Sequence, residues 1–334
     1  MTTQYELVHR ETKGPGDERP TASQIINDNQ LQGKWSGKTV LITGCSSGIG
    51  IETARAMLQT GATLYLTFRD LKKAKAALGN ILENDQVHLL ELDLNSLASV
   101  RKCADAFLAS SPNLNVLIAN AGVMATPEGR TIDGFETQFG TNHLAHFLLI
   151  QYLLPTLLSS SSEGFNSRVI VLASSAHRHG GINFSNINFE GEYHAWLAYA
   201  QSKTANLYTA VELERRYGSK GLHAWAVHPG IVPTSLTQHM DQETLGQWGQ
   251  DTELPKAMKS VEQGAATSVW AATANVLEGQ GGLYLENCQI SKPCAKSDPK
   301  EYEPGHGADA YDMEKANLLW EKSLELVKPF LRQE

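Results

Sequence analysis

The sequence is poor in cysteine, and its cysteines show no metal-binding spacing. There are 4 among 334 residues, and none of them belongs to a Cys-x-x-Cys pair. A chain of this length can bury an apolar core without covalent cross-links. We therefore expect buried or idle thiols, no disulfide framework and no metal site. A pairing or a shared metal at Cys288 and Cys294 is the alternative.

Two further absences restrict the partners and the compartment. Lys and Arg number 28 against 36 Asp and Glu, so the net charge of −8 argues against a nucleic-acid or anionic-membrane partner. No apolar run approaches the roughly 20 residues of a membrane-spanning helix. The polar N-terminus resembles neither a signal peptide nor an anchor. We expect no nucleic-acid partner, no membrane span and a cytoplasmic location.

What the sequence does contain is an alternation of short apolar strands and amphipathic helices. This alternation is typical of a parallel sheet whose crossover helices cover both faces. We predict an α/β fold: a single doubly wound Rossmann domain with a seven-stranded parallel sheet. The predicted strands are 38–43, 62–68, 87–91, 114–119, 168–173, 222–227 and 282–285.

Composition divides the chain into three parts. Residues 1–36, which include Gly14-Pro15-Gly16, form an N-terminal leader with a possible short helix. Residues 37–290 form the Rossmann-fold catalytic domain, and residues 291–334 a C-terminal extension with a final helix. Within the domain, residues 234–258 mix Leu236, Met240 and Trp248 with polar residues, which predicts a substrate lid. A plain surface helix pair is the alternative.

Polar and glycine residues follow the predicted strands at their carboxyl ends. The first strand leads into the turn Gly44-Cys45-Ser46-Ser47-Gly48-Ile49-Gly50 and then a helix, a context in which backbone amides bind a pyrophosphate. Arg69, Asp93, Asn120 and Ser175 follow later strands. Since ligands of open α/β sheets bind at this edge, we expect these residues to share one cleft.

Tyr199 and Lys203 lie on a predicted helix over 196–217, on the same face because they are four positions apart. A lysine cation close to a phenol favours the phenolate, so we predict that Lys203 lowers the pKa of Tyr199. Tyr199 then becomes a plausible general acid or base. By itself the pair could equally be a half-buried aromatic beside a solvated lysine.

Together these motifs resemble the short-chain dehydrogenase/reductase family from about Lys38 to Leu285. The resemblance rests on Thr43-Gly44-x-x-x-Gly48-Ile49-Gly50, Asn120-Ala121-Gly122, Ser175 with Tyr199-x-x-x-Lys203, and Pro229-Gly230. Further stretches, among them Asp133-Gly134-Phe135-Glu136 and Ala173-Ser174-Ser175-Ala176-His177, are most similar to the retinol-dehydrogenase and WW-domain-oxidoreductase branch.

The resemblance implies roles for four catalytic residues. Tyr199 would exchange a proton with the substrate oxygen, which Ser175 would also hydrogen-bond, while Ser174 is expected to face the sheet. Lys203 would hold the nicotinamide ribose, and the backbone of Asn142 would hold a water linked to that lysine. The cofactor-binding residues implied in the same way are Gly44, Ser46, Ser47, Gly48, Ile49, Gly50, Arg69, Asp93, Leu94, Asn120, Ala121, Gly122, Tyr199, Lys203, Pro229, Gly230, Val232 and Thr234.

The residue after the second strand bears on the choice of cofactor. An NAD enzyme needs a carboxylate there, whereas the guanidinium of Arg69 suits the 2′-phosphate of NADP(H). The carboxylate of the adjacent Asp70 favours NAD instead. We predict NADP(H).

The sequence therefore predicts an NADP(H)-dependent oxidoreductase that interconverts a ketone or aldehyde and an alcohol on a lipophilic small molecule. A reductase of specialised or lipid metabolism is the preferred class, acting as a monomer or homodimer. The alternatives are a cofactor-binding scaffold or sensor, and a non-redox enzyme on the same fold.

Overall fold

Eight strands form one sheet in the computed structural model, which describes residues 4–331. Their order is β3-β2-β1-β4-β5-β6-β7-β8, and neighbours from β1 to β7 pair in parallel. The order reverses between β1 and β4, which opens a crevice at their carboxyl ends. The strands are β1 Thr39–Ile42, β2 Thr63–Phe68, β3 Val87–Glu91, β4 Val116–Ala119, β5 Ser167–Leu172, β6 Leu222–His228, β7 Leu283–Glu286 and β8 Gln289–Ile290.

Helices cover both faces of this sheet, as predicted. One apolar core joins the sheet to α4, α6, α7 and α12, and the other joins it to α1, α2, α3 and α11. The helices are α1 Ala22–Asp28, α2 Ile49–Gln59, α3 Leu71–Leu78, α4 Leu97–Ser110, α5 Thr137–Phe139, α6 Ala145–Ser160, α7 Ala195–Tyr217, α8 Gln242–Gln250, α9 Leu254–Ala257, α10 Val261–Gly264, α11 Ala266–Thr273 and α12 Met313–Val327.

The prediction of seven parallel strands is confirmed, but the sheet continues for one strand more. β8 pairs antiparallel with β7 through Leu285↔Ile290 and Glu286↔Gln289. The two residues between them, Asn287 and Cys288, have φ angles of 53° and 54°. Two consecutive left-handed residues form the tight turn of a hairpin. The missing glycine in this turn, and the two-residue length of β8, explain why the sequence did not indicate it.

The N-terminal segment is tied to the domain. Arg19 is buried, and its guanidinium donates hydrogen bonds to the backbone oxygens of Ala257 and Met258 at 2.8 and 2.6 Å. The possible short helix is α1, whose first turn is closed by a capping box of Thr21 and Gln24. Its packing against α2 and α11 extends one apolar core of the sheet.

The C-terminal segment ends in α12, which packs on α7. Trp320 lies edge-on to Phe147 with ring centroids 4.9 Å apart, and the guanidinium carbon of Arg216 lies over the Trp320 ring, 4.7 Å from its centroid. Across residues 4–331, no helix is both long enough and apolar enough to span a bilayer. The boundaries at residues 36 and 290 stay predictions, as does the function of each part.

Candidate active site

A cleft of about 390 Å³ opens at the crevice between β1 and β4. It runs from the turn after β1, past the end of β2, to the face of α7 that bears Tyr199 and Lys203. Most of the predicted cofactor-binding residues line it: Gly44, Ser46, Ser47, Gly48, Ile49, Gly50, Arg69, Asp93, Leu94, Asn120, Ala121, Gly122, Tyr199, Lys203, Pro229 and Thr234. Residues distant in sequence meet here because every parallel strand delivers its carboxyl end to the same edge.

The glycine turn allows its backbone to come close to the neighbouring strand and helix. Gly44 has a φ of +75°, and a Cβ there would lie 2.8 Å from Cα of Ala121. At Gly50, in the first turn of α2, a Cβ would collide with the carbonyl oxygen of Gly44. No side chain caps the N-terminus of α2, so its first amides are donors at the cleft wall, where a phosphate fits.

Thr43, to which the sequence analysis gave no role of its own, holds the opposite wall of the cleft. Thr43 Oγ1 accepts hydrogen bonds from the amides of Asn120 and Ala121 at 2.9 and 3.0 Å, and it lies 2.9 Å from His146 Nε2. Asn120 Nδ2 also donates to the Thr43 carbonyl at 2.8 Å. These bonds fix Asn120, Ala121 and Gly122 against β1. A polar residue immediately before the first glycine of the turn was the available signal.

Arg69 and Asp70 occupy different positions although they are adjacent. Arg69 is exposed at the mouth of the cleft, at the end of β2. The carboxylate of Asp70 caps α3 instead, accepting from the amides of Lys72 and Lys73 at 2.9 and 3.1 Å. Arg69 therefore lines the cleft mouth, while the carboxylate of Asp70 is already used in the helix cap.

Tyr199 and Lys203 face the cleft from α7, and both are buried. The ammonium of Lys203 lies 5.6 Å from the centroid of the Tyr199 ring and donates to the carbonyl of Leu172 at 3.0 Å. Burial lowers the pKa of Lys203 to about 8.

The expected direction of the Tyr199 pKa shift is wrong. Burial raises the pKa of Tyr199 to about 12; a hydrogen bond with the Ser174 side chain opposes this rise, and the charge of Glu301 adds to it. Desolvation disfavours the charged phenolate, and Lys203 is not among the groups that shift this pKa. Tyr199 therefore holds its proton at neutral pH.

Asn142 lies behind the cleft in a π-helical turn, Gly140–Leu144, between α5 and α6. Its buried amide nitrogen donates to the Val123 carbonyl and to Ser202 Oγ at 2.9 and 3.0 Å, and its amide oxygen accepts from the Val123 amide at 2.8 Å. Ser202 in turn donates to the carbonyl of Tyr199. Asn142 thus links the wall of the cleft to α7 from behind, and its side chain is not part of the cleft surface.

The two serines after β5 have different surroundings. Ser175 is buried, and its hydroxyl donates to the carboxylate of Glu301 at 2.9 Å. Ser174 is half-buried and within hydrogen-bonding reach of Tyr199, whose pKa it lowers. The expectation that Ser174 faces the sheet is therefore wrong. The assignment of Ser175 to the substrate oxygen stays a prediction.

Gly230 and Val232 support the cleft from outside its surface. A Cβ on Gly230, whose φ is +94°, would lie 2.9 Å from the side chain of Lys259. Val232 fills the space above Gly264 and beside Ile49. The sequence did not single out Lys259, a buried amine that donates to Asn287 at 2.9 Å.

The predicted lid contributes to an apolar cluster next to Tyr199. Leu236, Met240 and Trp248 pack in one cluster with Met124 and Tyr199. The lid contains α8 and α9, and Leu245 on α8 is exposed rather than packed in this cluster.

His177 and His179 belong to the wall and surface of this region. The buried ring of His177 contacts Tyr284 and accepts a hydrogen bond from the Gly307 amide at 3.0 Å. Nowhere among residues 4–331 do three or more side chains of ligand type come together to hold a metal. All four cysteines are free, and Cys294 alone among them is not buried.

The comparisons with known proteins agree with this geometry. A family model described as short chain dehydrogenase matches residues 38–245. The short-chain dehydrogenase/reductase prx1 of Penicillium roqueforti is 47% identical over 323 residues, which cover 97% of this chain and 94% of that protein. Retinol dehydrogenase 12 of Mus musculus is 41% identical over 256 residues, 76% of this chain and 78% of that protein.

A solved structure extends the similarity to three dimensions. An uncharacterized protein of Mycobacterium Paratuberculosis aligns with a TM-score of 0.68 and 34% identity, covering 92% of this chain and 97% of that one. The resemblance to the retinol-dehydrogenase branch is confirmed by these relatives.

Proposed function

The chain belongs to the short-chain dehydrogenase/reductase family, and we propose that it is an NADP(H)-dependent oxidoreductase that interconverts a ketone or aldehyde and an alcohol on a lipophilic small molecule. The proposed working direction is reduction, in specialised or lipid metabolism. We also propose a cytoplasmic location and a monomeric or homodimeric state. The family as a whole acts on small molecules with NAD(P)(H).

One observation carries the proposal. A single cleft connects the donor amides at the start of α2 with the Tyr199 hydroxyl on α7. The first group suits a pyrophosphate and the second suits a substrate oxygen. A dinucleotide bound along this cleft would supply or accept a hydride next to Tyr199. Gly44, Gly48 and Gly50 would hold its phosphates, and Lys203 its ribose hydroxyls.

Tyr199 is the proposed proton donor to the substrate. Because burial keeps the pKa of Tyr199 at about 12, the hydroxyl is a donor throughout the neutral range. Donation from its oxygen to the carbonyl oxygen of the substrate is the step that reduction requires. The oxidation of an alcohol would need the phenolate instead, so this environment favours the reductive direction.

Two features support the NADP(H) preference and the lipophilic substrate. Arg69 lines the cleft at the end of β2, where we expect the adenosine ribose of a dinucleotide to lie, and Asp70 has its carboxylate in the cap of α3. That combination favours a 2′-phosphate over a free 2′-hydroxyl. The apolar cluster of Met124, Met240, Leu236 and Trp248 beside Tyr199, of which Leu236 also lines the cleft, favours an apolar substrate.

Cofactor titration tests the NADP(H) preference. We expect NADPH to bind at least about tenfold tighter than NADH, because a guanidinium adds a charge-assisted hydrogen bond to the phosphate. Arg69→Glu should remove the preference. Arg101→Glu, which makes the same charge change on the outer side of α4 beside Asp105, is the matched control. Equal affinities in the wild-type protein would refute the NADP(H) assignment.

Activity with lipophilic ketones and aldehydes tests the reaction class. Tyr199→Phe should lower kcat by about 10²- to 10⁴-fold, the usual contribution of a positioned general acid, while NADPH binding is retained. If the wild-type protein binds NADPH but reduces no carbonyl, and a partner protein binds equally to both forms, the scaffold alternative replaces this proposal.

A further inference from the structure

Ser174, at the end of β5, is held by the turn that follows it. This turn is the short 3-10 helix Ser175–His179. Ser174 Oγ accepts a hydrogen bond from the Ala176 amide at 3.2 Å. The Ser174 carbonyl accepts from the backbone amide of His177 at 3.2 Å, and it lies 2.6 Å from Nδ1 of the same residue. Because Ser174 is only half-buried, packing alone does not orient it, and these hydrogen bonds have that task.

The ring of His177 has one neutral form that satisfies both of its nitrogens. The Gly307 amide donates to Nε2 at 3.0 Å, so Nε2 carries no proton. The proton of the neutral ring is then on Nδ1, which donates it to the Ser174 carbonyl at 2.6 Å. Burial lowers the pKa of His177 to about 4, so the ring is neutral at neutral pH. The hydrogen bond at one ring nitrogen thus determines the role of the other.

The turn and the ring of His177 are fixed from several sides. The ring is buried, and its centroid lies 4.7 Å from that of the buried Tyr284 ring on β7. On α7, Thr204 Oγ1 donates to the carbonyl of Gly180 at 2.6 Å, which ties the far end of the turn to the helix that bears Tyr199. The contact at Nε2 comes from the C-terminal extension. His177 therefore has little freedom to move away from the Ser174 carbonyl.

The Ser174 hydroxyl acts on Tyr199. A hydrogen bond with the Ser174 side chain lowers the pKa of Tyr199, which is the effect of a donor on a phenolate. Ala176, whose amide binds Ser174 Oγ, packs with Tyr199 in one apolar cluster. When Tyr199 has given its proton to a substrate oxygen, the same donor would stabilise the phenolate that remains. The position of the Ser174 hydroxyl therefore affects the rate of proton transfer.

We propose that His177 is a positioning residue of the active site: its Nδ1–H holds the Ser174 carbonyl and so keeps the Ser174 hydroxyl in place for Tyr199. The Gly307 amide keeps the ring in the required form, which gives the C-terminal extension a part in the chemistry. His177 is not among the described residues that line the cleft, so it acts through Ser174. The inference rests on the proposed function for its effect on the rate.

Asparagine and glutamine at position 177 separate the two hydrogen bonds of the ring. The amide nitrogen of asparagine is as far along the side chain as Nδ1, so His177→Asn keeps a donor for the Ser174 carbonyl. Glutamine is longer and reaches the place of Nε2, so His177→Gln keeps an acceptor for the Gly307 amide and loses the donor to Ser174. Both variants lose the ring. His179→Asn is the control, because His179 lies in the same turn but is exposed and pairs with Glu301.

Steady-state kinetics with a lipophilic ketone and NADPH give the first measurement. We expect His177→Gln to lower kcat by about tenfold, the rate effect of one hydrogen bond, while the KM for NADPH changes by less than about twofold. His177→Asn and His179→Asn should keep kcat within about threefold of the wild-type value. In a Ser174→Ala background, His177→Gln should have no further effect, because the hydroxyl that it positions is gone.

Two kinetic results overturn the inference. One is a loss of kcat in His177→Asn that equals or exceeds the loss in His177→Gln, which would mean that only the ring or its contact with Gly307 matters. The other is a kcat in His177→Gln that equals the wild-type value. A loss that is undiminished in the Ser174→Ala background would likewise show that His177 does not act through Ser174.

The NMR signal of the Tyr199 ring gives a second measurement that needs no turnover. In protein with tyrosine labelled with carbon-13 at Cζ, the Tyr199 signal is the one missing from Tyr199→Phe. We expect its chemical shift at neutral pH to change in His177→Gln as it does in Ser174→Ala, and to stay at the wild-type value in His177→Asn. If the wild-type protein reduces no carbonyl, the proposed function fails, and this spectrum still decides the inference. A Tyr199 signal in His177→Gln that matches the wild-type protein would overturn it.

Discussion

Ser174 and Ser175 show how two neighbours in the sequence acquire different chemistry. Both follow β5 at the edge where the cleft opens. Ser174 is within hydrogen-bonding reach of the Tyr199 hydroxyl, whereas Ser175 donates to Glu301. We expect the Ser174 hydroxyl to adjust the acidity of Tyr199, and we keep the prediction that Ser175 hydrogen-bonds the substrate oxygen.

Replacing each serine by alanine separates these roles. Ser175→Ala should lower kcat for carbonyl reduction by about 10²-fold, the effect of losing one donor to a developing oxyanion. Ser174→Ala should have a smaller effect on kcat at neutral pH. Because the hydrogen bond from Ser174 lowers the pKa of Tyr199, its loss raises that pKa and moves the alkaline decline in rate to higher pH.

The measurement is a pH profile of kcat for the two variants and the wild-type protein. A larger loss in Ser174→Ala than in Ser175→Ala would reverse the two assignments. An alkaline limb that stays in place in Ser174→Ala would remove the role assigned to that hydroxyl.

The first turn of α2 has no room for a side chain at position 50. A Cβ on Gly50 would collide with the Gly44 carbonyl oxygen and would lie 2.8 Å from the side-chain amide nitrogen of Asn120. The glycine turn, the start of α2 and the segment after β4 therefore meet at Gly50. Any side chain there must displace groups that line the cleft.

We expect Gly50→Ala to weaken NADPH binding by at least about tenfold and to lower the free energy of unfolding by about 1–3 kcal/mol, the usual cost of overpacking. Gly246→Ala is the control. Gly246 lies in α8, where an added Cβ would have no atom within 4 Å, so alanine should leave NADPH binding unchanged and favour the helix slightly. Fluorescence titration and thermal unfolding measure both effects. Normal NADPH binding in Gly50→Ala would contradict the role of this close approach.

Buried histidines determine how the whole protein responds to acid. Burial lowers the pKa of five of them: His143 and His228 to about 3, and His9, His146 and His177 to about 4. In the unfolded chain each would titrate near its ordinary value of about 6.5. As the pH falls below that value, the unfolded chain binds protons that the folded protein does not, so stability decreases.

We therefore expect stability to be nearly constant above about pH 7.5 with respect to these groups, to begin to fall between about pH 7.5 and 6.5, and to fall steeply from there towards about pH 4. Each histidine contributes at most about 1.4 kcal/mol per pH unit. Glu136 and Glu286, whose pKa values are raised by burial, act in the opposite direction but are fewer. Urea unfolding at closely spaced pH values measures the slope. A free energy of unfolding that does not change between about pH 6.5 and 5 would contradict this expectation.

The fold and many of the residues that line the cleft could be predicted because the sequence patterns that indicate them involve residues close together in the chain. Each parallel strand is a short apolar run, and the residues that bind ligands in such folds follow the strands directly. Gly44, Asp93 and Asn120 could therefore be assigned to one edge before their distances were known. The spacing of Tyr199 and Lys203 likewise follows from the helical repeat alone.

Other features depended on contacts between residues far apart in the chain. Ser175 meets Glu301 across 126 positions, and no local pattern indicates that pairing. The direction of the Tyr199 pKa shift depended on how deeply α7 is buried, which the spacing to Lys203 does not reveal. Sequence determined the sheet, the glycine turn and the Tyr199–Lys203 pair because these follow from backbone periodicity and from neighbours along the chain. Only the tertiary structure decided which groups are desolvated and which distant side chains hydrogen-bond to each other, because burial and charge depend on the packing of the whole molecule.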